Sequence, residues 1–130
     1  MPAPTEATYS VPALIAAHTS FRDLIDVGIG AGSIKIRDAN DVLLAQIPLT
    51  RPCGTVDGET GQLTLTPAGG GEAADASGVA AYGEFCDADD AVHLSLPAQA
   101  GSGAVAGKLV INSLSIVAGG PVEVVSATIG

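Results

Sequence analysis

Two cysteines and two histidines are the residues whose types could carry out nucleophilic or metal chemistry. Cys53, Cys86, His18 and His93 include the side chains found in Cys–His nucleophile pairs and in zinc sites. Their spacing contains neither CxxC nor HxxxH, and a nucleophile pair would also need an orienting group and an oxyanion hole. We therefore interpret the cysteines as reduced, partly buried thiols, His18 as a helix-surface residue and His93 as a polar-face residue of a strand.

An acidic cluster, Asp87-Ala88-Asp89-Asp90, offers oxygen atoms of the kind that a hard cation such as Ca²⁺ binds. It lacks the glycine and the distal glutamate of an EF-hand loop. A solvated acidic β-turn is the preferred interpretation, and a cation site is the alternative. We predict no metal and no other cofactor.

The glycine-rich stretch Gly28-Ile29-Gly30-Ala31-Gly32 resembles a phosphate-binding loop in composition only. In phosphate-binding motifs the glycines follow a strand and open a helix, so that the helix N-terminus faces the anion. Here they follow a predicted helix and precede a predicted strand. This order favours a helix stop followed by a connector.

The charge balance argues against several classes of partner. The chain of 130 residues has a net charge of −9, and its five basic residues are dispersed: Arg22, Lys35, Arg37, Arg51 and Lys108. Phosphate backbones and anionic membranes attract clustered Lys and Arg, so we expect neither nucleic acid nor membrane as a partner. Aromatic residues make up 3% of the chain, which is too few for a base-stacking or sugar-stacking platform.

The start of the chain lacks the basic and apolar regions of a signal peptide, and no stretch approaches the roughly 20 apolar residues of a membrane span. We expect a protein that is made and assembled in a cytoplasm.

The hydrophobic pattern predicts one small β domain preceded by an arm and a helix. Three prolines in residues 1–12 predict an extended N-terminal arm, and apolar residues about one turn apart predict a short helix over residues 13–27. Alternating segments after residue 32 predict about 7–8 antiparallel strands separated by Gly, Pro and Asp turns. The first two, residues 33–37 and 42–49, should pair as a hairpin. The predicted fold class is all-β, a β-sandwich or jelly roll, in a single domain over residues 13–130.

Several strand segments resemble a family of small structural proteins from tailed bacteriophages and prophages. In that family a short helix is followed by a strand of the "LRIY" type, a "LLAELTL" strand, a "GTAxWFRL" strand, a "LNLNSxSIxAG" segment and a closing "VSVTS". The matching segments here are GSIKIR (residues 32–37), LLAQIPL (43–49), GVAAYGEF (78–85), LVINSLSIVAG (109–119) and VEVVS (122–126). The resemblance extends over most of residues 14–129, with a tyrosine, Tyr82, near the position of the family's tryptophan.

The resemblance implies a head decoration, or cement, protein that binds the major capsid protein on the outer surface of the virion and stabilises the head by bridging capsomers. It implies a homotrimer, no enzymatic activity and no small-molecule substrate. The N-terminal arm is then the expected partner-binding segment, with these residues as contacts: Pro2, Pro4, Thr5, Tyr9, Val11 and Pro12. The alternative function is a tail, fibre or baseplate module that contacts host glycan or another tail protein.

Overall fold

One helix precedes the strands in the part of the chain that the computed structural model describes, residues 10–68, 72–105 and 107–129. Helix α1 spans Val11–Ile25, and the hydroxyl of Ser10 caps it by accepting the backbone N–H of Ala13 at 3.2 Å. Pro12 fits the first turn, where a backbone N–H has no partner within the helix. We had expected Val11 and Pro12 to lie in an extended arm, but both belong to the helix. The helix also ends two residues before the predicted end.

The strands account for most of the rest of the described chain. Their bounds are β1 Ser33–Arg37, β2 Leu43–Val56, β3 Leu63–Pro67, β4 Glu72–Ala73, β5 Gly78–Val79, β6 Tyr82–Cys86, β7 Val92–Ala100, β8 Leu109–Ile111, β9 Ser115–Ile116, β10 Pro121–Val122 and β11 Val124–Ile129. The predicted all-β class with one short N-terminal helix is confirmed. Residues 78–85, which resemble one strand of the phage family, lie in two strands, β5 and β6.

Seven strands close into a barrel in the order β1-β2-β3-β11-β8-β7-β6, with β6 returning to β1. The predicted hairpin of β1 and β2 is confirmed, with Ser33 opposite Pro48 and Ile36 opposite Ala45. One neighbouring pair, β7 and β8, is parallel, although we had expected antiparallel strands throughout. Residues 101–108 connect the two. This connection is short because the chain returns only from Ala100 to a position opposite Ala98, where Leu109 pairs.

The expected sandwich or jelly roll is not confirmed, because the seven strands form one closed sheet. The long strand β2 explains the difference. It pairs with β1 through its first half and with β3 through its second, with an irregularity in register between Leu49 and Gly54. Such bulges bend a strand, so β2 follows the curve of a barrel wall. Alternation in the sequence predicts the strands but not the order in which they pair.

The barrel interior and the contact with α1 form one hydrophobic core. Its members are mostly aliphatic, as the composition predicts, and Phe85 is its only fully buried aromatic ring among the described residues. Ile25 is fully buried, so the last turn of α1 is held against the barrel. Two ribbons of two strands each, β4 with β10 and β5 with β9, lie outside the closed sheet.

Candidate functional site

Cys53, on β2, is a buried core residue, and its surroundings do not activate the thiol. Its side chain is buried, and its Sγ lies 3.7 Å from the carbonyl oxygen of Arg22. Burial, followed by the nearby charge of Asp26, raises the pKa of the Cys53 thiol to about 12. A thiol that stays protonated at neutral pH is a poor nucleophile and a poor metal ligand.

Cys86, at the end of β6, is also buried and is not in a disulfide. Burial is the main cause that raises the pKa of its thiol. Both cysteines are free thiols, and both are fully buried, where we had expected partial burial.

The two histidines serve different structural contacts. His18, on α1, donates from Nδ1 to the carbonyl oxygen of Gly61 in the β2–β3 turn. His93, on β7, donates from Nε2 to Oδ2 of Asp87 at 3.0 Å. Both rings are thus engaged in contacts that hold a turn against a neighbouring element.

The acidic cluster forms a tight turn between β6 and β7. Oδ1 of Asp87 accepts the backbone N–H groups of Asp89 and Ala91 at 2.9 and 3.0 Å. The hydrogen bond from His93 and these two backbone bonds lower the pKa of the Asp87 carboxyl. Within residues 10–68, 72–105 and 107–129, no three His, Cys, Asp or Glu side chains are grouped so that they could hold a metal ion.

A polar network on the barrel surface fixes the β1–β2 turn. Arg37 forms an ion pair with Glu84, and its Nη1 donates to the carbonyl oxygen of Asp41 at 3.0 Å. The Tyr82 hydroxyl donates to the Asp41 carboxylate, and this bond is the main cause that raises the pKa of Tyr82 to about 12. The phenol therefore stays protonated and acts as a hydrogen-bond donor to the turn.

A surface groove lies beside the acidic turn, with a cavity volume of about 480 Å³. Three carboxylates border it, those of Glu72, Asp87 and Asp90, and Asp90 is paired with Lys35 at 3.2 Å. The other lining residues are small or uncharged: Ala31, Gly32, Ser33, Gln46, Pro48 and Ala88. The groove is therefore predominantly acidic.

The last turn of α1 and the loop that joins it to β1, residues 26–32, present apolar side chains to solvent next to this groove. Ile29 is fully exposed, and Leu24 and Val27 are exposed by 48% and 52%. Gly28 has a φ of 99°, a conformation that favours glycine. We call this set of three side chains the Ile29 cluster.

A second apolar pair lies on the ribbon of β5 and β9. Val79 and Val117 are exposed by 64% and 66%. Val79 lies opposite Ser115 on β9, and Val117 directly follows the end of β9. Ile116, on β9, is buried. We call Val79 and Val117 the ribbon pair.

The Ile29 cluster and the ribbon pair lie at opposite ends of the barrel. Ala88, near the loop glycines, follows the end of β6 that pairs with Ser33, whereas Val79 precedes the end that pairs with Arg37. Since β1 spans four residue steps between those two positions, the ends are separated by roughly 13 Å along the strand.

The contact residues predicted from the sequence differ from the exposed apolar residues that the structure shows. Four predicted contacts, Pro2, Pro4, Thr5 and Tyr9, lie outside the described residues. Val11 and Pro12 lie in the first turn of α1, exposed to solvent. The Ile29 cluster was not predicted from the sequence, although an isoleucine between two glycines is a signal that could have indicated it.

Comparisons of the chain with family profiles, with curated proteins and with solved structures found no match. The resemblance to phage structural proteins therefore stays a prediction. None of the helices among the described residues has the length and apolar character needed to cross a membrane.

Proposed function

We propose that this protein is a bacteriophage head decoration protein, which binds the major capsid protein on the outer surface of the shell and bridges neighbouring capsomers. In this proposal it acts without catalysis and its copies assemble as trimers. The proposal begins from the resemblance of its strand segments to a family of phage structural proteins.

The observation that carries the proposal is the exposure of apolar side chains at both ends of one small barrel. A bridging protein needs two contact surfaces that face different neighbours. The Ile29 cluster and the ribbon pair meet this requirement, because they are separated by the length of β1. Interfaces gain their affinity from such apolar anchors surrounded by polar side chains.

The contacts made by the cysteine, histidine and aspartate side chains support a structural role. The Cys53 thiol is protonated and buried, and the rings of His18 and His93 are engaged in contacts with a turn. Asp87 is occupied by two backbone N–H groups and one histidine. Each of these side chains therefore makes contacts that stabilise the fold.

The charge also suits the outside of a shell. A net charge of −9 on a small protein keeps crowded copies soluble and disfavours contact with packaged nucleic acid. The three aromatic rings among the described residues, Phe21, Tyr82 and Phe85, are all at least partly buried. This arrangement disfavours the glycan-binding tail or fibre alternative, which needs exposed rings.

Reconstitution on phage heads tests this function. Heads that lack this chain would be mixed with the purified protein, sedimented and then heated while released DNA is measured. We expect saturable binding and a higher temperature of DNA release. If the protein stays in the supernatant at all concentrations, the proposed function is wrong.

A further inference from the structure

The loop that carries Ile29 is braced on both sides, although its tip faces solvent. On one side Nη1 of Arg51 donates to the carbonyl oxygen of Gly30 at 2.7 Å. On the other side Asp26, where the loop begins, accepts the backbone N–H of Cys53. The Ile29 side chain is thus presented from a loop that is already held in place, which lowers the entropy lost when a partner binds.

Gly32 and Gly28 lie in close contact with neighbouring parts of the protein. A Cβ atom placed at Gly32 would overlap the carbonyl oxygen of Cys86 and lie 2.6 Å from Cγ2 of Ile25. A Cβ atom at Gly28 would touch the Ala88 side chain at 3.4 Å. The loop therefore rests directly on the end of α1 and on the turn after β6.

The Ile29 cluster exposes more apolar surface than isolated surface residues do. Isolated exposed valines and leucines are common on protein surfaces. Here three large apolar side chains within six residues, Leu24, Val27 and Ile29, are all about half exposed or more. Such a concentration of exposed apolar side chains in a short segment is typical of a contact surface for another molecule.

The acidic turn beside the cluster restricts what can bind there. Ala88, which lies next to Gly28, is flanked by Asp87 and by the exposed Asp89. Asp87 is paired with His93, Asp90 is paired with Lys35, and Arg51 contributes one positive charge at the loop, so Asp89 is the acidic group that a partner would meet. A second copy of the chain would bring one acidic border against another, and an anionic membrane would be repelled for the same reason. A basic border on the partner is the complementary arrangement.

We propose that the Ile29 cluster inserts into an apolar pocket that is bordered by Lys or Arg side chains on a partner protein. This inference rests on the proposed function, because it places the pocket on the major capsid protein. It assigns one of the two shell contacts to the end of the barrel that carries Ile29, and not to the N-terminal arm alone.

The test measures the affinity of four purified variants and the wild type for heads that lack this chain. Ile29→Ser removes the apolar anchor, and Ile29→Leu retains it. Val125→Ser, at an exposed valine on β11, is the matched control. Asp89→Lys reverses one charge of the acidic border. Circular dichroism and thermal melts verify that every variant folds.

We expect Ile29→Ser to weaken binding by roughly 10- to 100-fold, which corresponds to leaving a large aliphatic side chain unburied. Ile29→Leu and Val125→Ser should bind close to wild type, and Asp89→Lys should bind more weakly. Equal binding of wild type and Ile29→Ser, or of wild type and Asp89→Lys, overturns the inference while the proposed function stands. Failure of the wild type itself to bind heads overturns both.

Discussion

Both carboxylate oxygens of Asp26 accept the backbone N–H of Cys53, at 3.0 and 3.2 Å. Asp26 caps the C-terminal end of α1, and Cys53 lies in the second half of β2, so this contact joins the helix to the barrel wall. The same carboxylate lies close enough to Cys53 to help raise the pKa of its thiol. One residue therefore anchors the loop that presents Ile29 and contributes to keeping a cysteine unreactive.

Replacing Asp26 by alanine should destabilise the fold. The Cys53 N–H would lose a charged acceptor in a partly buried site, which costs about 1–3 kcal/mol. Urea unfolding followed by circular dichroism measures the change. Asp23→Ala is the control, because the Asp23 side chain is 65% exposed and pairs with Arg22 at 3.5 Å. Surface pairs of this kind contribute little, so a loss of similar size in both variants would contradict the anchoring role.

Both cysteines should resist thiol reagents in the folded protein. Burial keeps the Cys53 thiol protonated up to a pKa of about 12 and also raises the pKa of Cys86. Since the thiolate is the reactive form, Ellman's reagent near pH 8 should label neither residue until denaturant is added. Rapid labelling of the native protein would show that one thiol is accessible and ionised, and would return the Cys–His hypothesis to consideration.

The Asp87 carboxylate should contribute to stability at neutral pH and lose its contribution in acid. Its pKa is lowered in the folded state by His93 and by two backbone N–H groups. The contribution is therefore complete above the unfolded-state pKa of about 3.9 and disappears as the pH falls through the lower folded-state value. Thermal melts between about pH 6 and pH 2 should show a shallower acid decline for Asp87→Asn than for wild type. Identical declines would mean that the turn is not stabilised by ionised Asp87.

Replacing Thr128 by valine should stabilise the protein. The Thr128 side chain is buried on β11, and its Oγ1 has no hydrogen-bond partner among the described residues. Exchanging the hydroxyl for a methyl group of similar size removes the cost of burying an unpaired polar atom, about 1 kcal/mol. The melting temperature should rise by a few degrees. A fall in melting temperature would indicate that the hydroxyl has a partner, such as a buried water.

The parts of the fold that could be predicted from the sequence depend on contacts between residues close in the chain. The alternation of Ile34 and Ile36 with Lys35 and Arg37 predicted β1, and the turn after it predicted the hairpin with β2. The acidic turn after Cys86 was predicted for the same reason, since an aspartate can accept N–H groups from residues just after it.

Closure of the barrel could not be predicted, because it depends on pairs far apart in the chain. β1 pairs with β6, with Ile34 opposite Phe85, and nothing in either segment specifies the other as its neighbour. The helix start was misplaced because three prolines within residues 1–12 were read together as an arm. Pro12, however, sits at a helical position that requires no N–H donor.

The Ile29 cluster was missed for a related reason. The glycines around Ile29 were interpreted correctly as the end of a helix, and Ile29 was treated only as part of the connector. Only the packing of the loop against Ala88 and the bond from Arg51 to Gly30 show that Ile29 faces solvent from a fixed position. A pattern in the sequence predicts which residues are apolar, and the tertiary contacts decide which of them stay exposed.

If this chain covers the outer shell of a phage head, as we propose, its copy number in purified virions should be high. Quantitative densitometry or mass spectrometry would measure its ratio to the major capsid protein. A decoration protein should be present in numbers comparable to the capsid subunits. A few copies per particle would contradict the decoration role and assign the chain to the tail. Its absence from the particle would contradict any structural role in the virion.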